Sequence, residues 1–444
     1  MLAQKCENIS NQENSLKRGK MSLFWGKFLR EITGELTPSS RIFLRTLFCT
    51  FSFILGVGYS AVQEANELSE ESTVRLIADN IPDFPRPDRL RIKAVGDIIP
   101  GTNYPYNRLH PRKEELLAEV EPLLDEAEIV FGNFESTLTN ATVSAKQMGS
   151  GLVFAFRTPP DYSNLLKEAG FDVLNIANNH SLDFGDRGFQ DTVANIEKAG
   201  IKAIGEKDKI VYTYHEGAKI AWLGFSYFPH QNSILNLPKS LALVQKAEAN
   251  ADIVIVSIHA GAEGTAAMHV RDRTEYFYGE NRGNLVQFSR SAIDAGADLI
   301  LGHGPHVPRS LELYRHKLIA YSLGNFLGYK TLSNKAELGY SLVLEVELDD
   351  RGDFLSGQIH PVRLQKNGIP QPSDRGETIQ LIQRLTQSDF PHTPLTITPE
   401  GQILRNETVL AKELAEELAK ESQDHINTSL VEFFLPTGIA APEN

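Results

Sequence analysis

The apolar positions of this chain fall into short blocks separated by polar, periodic stretches. From residue 90 onward, apolar and β-branched runs occupy residues 90–95, 129–131, 173–176, 220–224, 253–258, 299–301, 317–321 and 341–348. Runs of this length and composition predict strands. Between several of them, residues 114–127, 162–169, 189–199 and 285–295 repeat their apolar positions at helical spacing, which predicts amphipathic helices. Strands alternating with helices argue for an α/β layered fold. There is no repeat of fixed period and no low-complexity tract.

One block differs in kind. Residues 46–62 (TLFCTFSFILGVGYSAV) are uncharged, and residues 42–44 extend the apolar run past Arg45. The whole segment approaches the roughly 20 residues a helix needs to cross a bilayer. Lys17, Arg18, Lys20, Lys27, Arg30 and Arg41 precede it together with Arg45. That bias keeps the amino terminus in the cytoplasm and sends the body outward. The expected organisation is a basic cytoplasmic tail (1–41), a transmembrane or signal-anchor helix (42–62), an acidic, proline-punctuated linker (63–89), the main domain (90–400) and a C-terminal helical tail (401–444) that holds the amphipathic stretch 407–422. The body is then anchored to the cell membrane by one span and lies outside it. Gly58-Tyr59-Ser60 also offers a signal-peptidase site, and a start at Met21 would give an ordinary signal length, so a secreted or periplasmic body is the alternative.

Composition narrows the chemistry. Of 444 residues, 41% are hydrophobic and 23% charged, as in a globular protein. The formal charge is −13; residues 1–62 carry +4, which leaves −17 for the rest. So acidic a body repels phosphate backbones, and no nucleic-acid partner is expected. Both cysteines, Cys6 and Cys49, lie in the leader. The body therefore has no disulfide and no thiolate ligand, and any metal there is held by His, Asp, Glu or Asn.

Those residues gather just after the predicted strands, where α/β proteins keep their sites. Residues 92–95 lead into Gly96-Asp97, and 129–131 into Gly132-Asn133-Phe134-Glu135. Residues 173–177 lead into Asn178-Asn179-His180, with Asp183 three positions on. Residues 253–258 end in His259-Ala260-Gly261-Ala262-Glu263, and 299–301 in Gly302-His303-Gly304-Pro305-His306. Carboxylate oxygens and imidazole nitrogens suit hard or borderline divalent ions. Two such ions side by side would polarise a phosphate and activate a water. Any one of these residues alone is more simply a turn carboxylate or a packed histidine; five strand ends together point to a metal site. His110, His215, His230 and His425 follow no pattern.

At this point a resemblance becomes specific. The segments AVGDIIPGTN, IVFGNFESTLT, FRTPPDYSNLLKEAGFDVLNIANNHSLDFGDRGFQDTVANIEKAGI, IVIVSIHAGAEGT and AIDAGADLILGHGPHVPRSLELYRHKLIAYSLGNF resemble the CapA-like poly-γ-glutamate capsule-synthesis family over residues 91–330. That family's domain is similar to the calcineurin-like metallophosphatases. The resemblance implies a metallophosphatase-like β-sandwich flanked by helices and one or two divalent metal ions (Mn, Fe, Zn or Mg). It implies Asp97, Glu135, Asn179, His259, His303 and His306 as metal ligands, with Glu135 as bridge. His180 would be a general acid charge-stabilised by Asp183. Arg157 is a candidate clamp for an anionic substrate group, and Asn103 a second candidate substrate-binding residue. The chain departs from the superfamily pattern in two places. Asp-x-His is replaced by Asp97-Ile98-Ile99, with Asn103 a candidate substitute, and the bridging carboxylate is a Glu. Two functions follow: a membrane-bound factor that works with other capsule-synthesis subunits on an anionic polymer such as poly-γ-glutamate, or a stand-alone metal-dependent phosphoester hydrolase. An acidic body suits an acidic polymer only where a metal or a basic groove compensates. Fold alone does not separate the two.

Overall fold

The computed structural model describes residues 89–147 and 153–406. Two sheets form. The larger, ten-stranded sheet follows the order Leu395–Ile397, Gln402–Arg405, Phe354–Leu364, Tyr340–Leu348, Leu90–Ile99, Ile129–Phe134, Val173–Asn175 and Lys202–Ile204. Asn325–Gly328 adds beside the end of Leu90–Ile99, and Pro370–Pro372 beside Phe354–Leu364. The six-stranded sheet follows the order Leu311–Tyr314, Lys317–Ala320, Leu299–His303, Ile253–His259, Ala218–Ser226 and Val211–His215.

Strand side chains alternate between two faces, and here the alternation sorts residues into separate cores. From the larger sheet, Ile92, Ala94, Ile129, Phe131 and Val173 meet Ile220, Trp222, Ile253, Ile255, Leu299 and Leu301 of the smaller one in a single buried cluster. Phe131 and Trp222 stack across the seam with centroids 5.6 Å apart. The intervening residues Val95, Val130, Phe134 and Leu174 face the other way, onto Tyr162, Leu165, Leu166, Val193 and Ile196 of helices Tyr162–Glu168 and Gly185–Lys198. On the outer face of the smaller sheet, Leu223, Val254, Val256 and Ile300 pack on Val244 of helix Leu237–Glu248 and Phe288 of helix Leu285–Asp294. The result is helix, sheet, sheet, helix. Strands covered on both faces need apolar residues at every position, which explains why they read as runs rather than alternations.

At one point of contact between the two sheets there is no room for a side chain. A Cβ on Gly224 would stand 2.3 Å from Asn175 Oδ1 and 2.7 Å from the Cα of Gly205.

Several expectations are revised. Residues 114–127 do not form one helix but a 3-10 turn, Lys113–Leu116, and a short helix, Glu121–Leu124, with Pro122 in its first turn. Proline has no N–H to continue a helix from before it. Helix Leu237–Glu248 opens with Pro238 in its first turn and Asn236 accepting the Lys239 N–H at its N-cap. The boundary drawn at 400 is too early, because Gln402–Arg405 pairs with Phe354–Leu364 inside the larger sheet. Among the described residues no helix is long and apolar enough to cross a membrane. The anchor expected at 42–62 and the amphipathic stretch 407–422 both lie outside the described residues.

Candidate metal centre

Asp97 lies in the strand Leu90–Ile99, flanked in register by Asn133 on one side and Asn325 on the other. The pairing with Asn325–Gly328 slips between Asp97 and Ile98, and such an irregularity re-aims side chains at a strand end. The Asp97 N–H donates to the Gly324 carbonyl at 2.9 Å. That contact requires glycine at 96, where a Cβ would be 2.0 Å from the same oxygen. Gly96→Ala is therefore expected to destabilise the fold by about 1–3 kcal/mol through forced backbone displacement, measured by chemical denaturation. Unchanged stability would mean that the loop yields freely.

Glu135 follows Ile129–Phe134, its N–H donating to Ile98 O at 3.0 Å. His259 and His303 end neighbouring parallel strands in direct register. His306 has φ 60°, left-handed for a residue with a side chain, a conformation that costs on the order of 1 kcal/mol. Its ring is held in return: Nδ1 lies 3.0 Å from Asp97 Oδ2 and 2.9 Å from Asn325 Oδ1. Asp97, Glu135 and His306 each bring one donor atom within 4.8 Å of the others. His259 Nε2 is 3.6 Å from Glu135 Oε1, and His306 Nε2 is 3.9 Å from it. Asn133 Nδ2 fastens the cluster from below, donating to Asp97 Oδ1 at 2.8 Å beside His259 Nδ1 at 3.1 Å. Asn175 Nδ2 fixes Asn133 Oδ1 in turn, at 2.9 Å.

A second group stands beside the first. Asp183 Oδ2 accepts the Phe156 N–H at 2.6 Å and faces His180 Nδ1 at 2.8 Å. Lys146 Nζ sits 2.6 Å from Asp183 Oδ1. With a carboxylate at Nδ1, the ring presents Nε2 toward Glu135 Oε1, 4.0 Å away.

Burial opposes charge on all of these groups, and their neighbours decide the balance. Against that burial, the hydrogen bond and charge of His306, aided by His259 and His303, hold the Asp97 pKa at about 2. Burial of His306 is likewise outweighed, by Glu135, Asp97 and Glu263, and its pKa rises to about 10. Glu135 goes the other way: burial pushes it well above the carboxylate range against the pull of His306, and Asp97 and Glu263 push further. Burial pushes His259 and His303 down. It does the same to His180, although Asp183 opposes it.

The sequence model of the family described as "Bacterial capsule synthesis protein PGA_cap" matches residues 91–330, more than half of the chain. The chain belongs to that family. The PGA biosynthesis protein CapA of Bacillus subtilis is 31% identical over 275 residues, covering 57% of this chain and 68% of that protein. The capsule biosynthesis protein CapA of Bacillus anthracis is 28% identical over 305 residues, covering 64% and 70%. Among solved structures, the NAD nucleotidase of Haemophilus influenzae aligns at 13% identity and a TM-score of 0.33, over 66% of this chain and 55% of that one. The chain thus spans about half the length of that nucleotidase.

In this PGA_cap member the residues singled out from the sequence divide into two sets. Asp97, Glu135, His259 and His306 converge, with His180 and Asp183 beside them. His303 does not join them. Its Nε2 is 3.1 Å from the Val95 carbonyl, its Nδ1 is 3.5 Å from Ser257 Oγ, and its ring packs on Phe131 beneath the site. Arg157 and Asn103 hold each other instead: Arg157 Nε donates to Asn103 Oδ1 at 2.6 Å and Nη1 to the Ala141 carbonyl at 2.7 Å. Asn103 is thus engaged by Arg157, and the Arg157 guanidinium is taken up by the segments that carry Asn103 and Ala141. Asn133, Lys146 and Glu263 had no strong signal in the sequence. Asn133 was legible only as a polar residue inside an apolar strand.

Buried polar atoms without partners test whether a metal suits this site. Among the described residues, both Glu135 carboxylate oxygens, Asn179 Oδ1 and His259 Nε2 are buried and accept or donate no hydrogen bond. Leaving such groups unpaired is costly. They are carboxylate, amide-oxygen and imidazole donors, the kinds a divalent ion takes, and the His259 and Glu135 atoms lie 3.6 Å apart. The residues fit a metal.

Proposed function

We propose that this protein is a membrane-anchored, extracytoplasmic component in the synthesis or export of a capsular anionic polymer such as poly-γ-glutamate, working through a divalent-metal centre. The observation that carries the reading is Glu135, fully buried at the strand ends with neither oxygen hydrogen-bonded, against Asp97 and His306. Membership of a capsule-synthesis family supports the biological setting. The uncharged segment 46–62 after a basic tail supports the anchor.

Asp97, Glu135, Asn179, His259 and His306 are the residues that would hold Mn, Fe, Zn or Mg. When bound, one or two such ions would supply Lewis-acid polarisation of a phosphoryl or carboxyl oxygen, and would offset the repulsion between an acidic body and an acidic polymer. Asn133 orients Asp97 and His259. Asp183 fixes the His180 ring so that Nε2 faces the pocket, and burial keeps that ring neutral and ready to exchange a proton.

The His180–Asp183 pair favours a second reading, a stand-alone phosphoester hydrolase, because a binding site alone has no need of an oriented imidazole. The test takes the full chain in mild detergent with added Mn²⁺ and a chromogenic phosphodiester, wild type against His180→Ala. A fall of about 10²–10⁴-fold in turnover, the usual worth of general acid–base catalysis, makes it a hydrolase. Metal binding without turnover, together with loss of surface polymer when cells carry Glu135→Gln, supports the assembly role. Wild-type polymer from the Glu135→Gln cells removes the metal centre from the proposal.

A further inference from the structure

Glu263 is held with more care than a loop carboxylate needs. The backbone around it is fastened at three residues: Gly261 N–H donates to Arg282 O at 3.0 Å, Ala262 N–H to Glu275 Oε2 at 2.7 Å, and Gly264 N–H to Pro305 O at 2.9 Å. Arg309, fully buried, clamps Glu275 with both terminal nitrogens and the Ala262 carbonyl at 2.8 Å. The side chain is held too. Arg282, itself buried and lying over the Tyr227 ring at 4.3 Å, donates to Glu263 Oε1 at 2.8 Å. Only one oxygen is engaged by this hold; Oε2 is directed at the site, 3.9 Å from His306 Nε2.

His306 Nε2 is therefore equidistant, at 3.9 Å, from a Glu135 oxygen and a Glu263 oxygen. The Glu135 oxygens are fully buried and unpartnered, which independently marks this space as the place of a ligand. Resting on the metal centre proposed above, we infer that Glu263 is a metal ligand, delivered from the smaller sheet to the side of His306. Arg282 is a positioning residue: it fixes Oε1 so that Oε2 is presented without the entropic cost of ordering a free side chain.

The full chain in mild detergent, stripped by chelator, is titrated with Mn²⁺ and Co²⁺ as wild type, Glu263→Gln and Glu135→Gln. Affinity is read by chelator competition, stoichiometry by elemental analysis, and coordination by the Co²⁺ absorption spectrum. Glu263→Gln is expected to weaken binding about 10- to 100-fold and to change the Co²⁺ spectrum, which a purely structural loop residue would leave alone. Glu263→Asp, which keeps the charge but shortens the reach, serves if the Gln variant does not fold, with the same change expected. Wild-type affinity and spectrum in a folded Glu263 variant, while Glu135→Gln loses the metal, overturn this inference and leave the metal centre standing. Absence of binding by the wild type overturns both.

Discussion

Glu135→Gln is expected to weaken divalent-metal binding by more than about 100-fold, since even residues that only support ligands are worth 10–100-fold. The carboxylate is fully buried, and both its oxygens lack hydrogen bonds. In a metal-free protein that arrangement is a liability. Burial raises its pKa well above 4.5, with Asp97 and Glu263 adding to the shift and His306 opposing it, so the folded protein resists ionising a group that the unfolded chain ionises freely. The sign follows from linkage. Below the unfolded pKa both states hold the proton and there is no penalty; as pH rises through it, the unfolded chain gains and the fold loses stability until the folded pKa is reached. Glutamine has no such dependence. The metal-free variant should therefore be more stable than metal-free wild type, by about 1–3 kcal/mol at neutral pH, with the margin shrinking toward pH 4.5. Denaturant unfolding with chelator present, at several pH values, measures this, and metal titration measures the affinity. A variant that binds metal normally, or that is less stable than wild type without metal at neutral pH, contradicts the assignment.

Asp183→Ala should cost about 3 kcal/mol of stability. Asp183 is fully buried and serves three partners: the Phe156 N–H, His180 Nδ1 and the Lys146 ammonium. Removing one member of a buried ion pair strands the other, at roughly 3–5 kcal/mol. Lys146 retains some solvent, its side chain being 28% exposed, which places the expectation at the lower end. Here the amide of Phe156 would also lose its acceptor. The His180 ring would be freed as well, so its NMR line shape should broaden or double. Asp183→Asn, which keeps the shape and one acceptor oxygen, should cost less. Equal stability of wild type and Asp183→Ala would mean that Lys146 and Phe156 find water at no cost, and that the pair does not organise His180.

Much of this protein is local information. The buried strands are legible because packing on both faces demands apolar residues at every position, as in the runs that become Ile253–His259 and Leu299–His303. The site residues are legible because Asp97, Glu135, His180 and His259 are polar residues following the ends of such apolar runs. Helix Leu237–Glu248 was missed because its sequence gives a weak apolar face and opens with a proline, which reads as a break unless its place at the first turn is known.

Convergence belongs to tertiary structure. The sequence puts His303 and His306 three residues apart and offers both as ligands. Only the approach of the two sheets turns His303 down onto the Val95 carbonyl and leaves His306 with Asp97. Arg157 and Asn103 each looked free to serve a substrate, yet the loops that carry them fold against one another and spend their hydrogen bonds there. Glu263 comes to His306 because Arg282, Glu275 and Arg309 fix its loop, contacts spanning up to 47 residues of chain. Composition and spacing thus determine which donors this chain owns and at which strand ends they sit, because those follow from burial of neighbouring residues. Which donors share one space is decided by how closely two sheets pack, and that is set by residues far apart in sequence, such as Gly224 against Asn175.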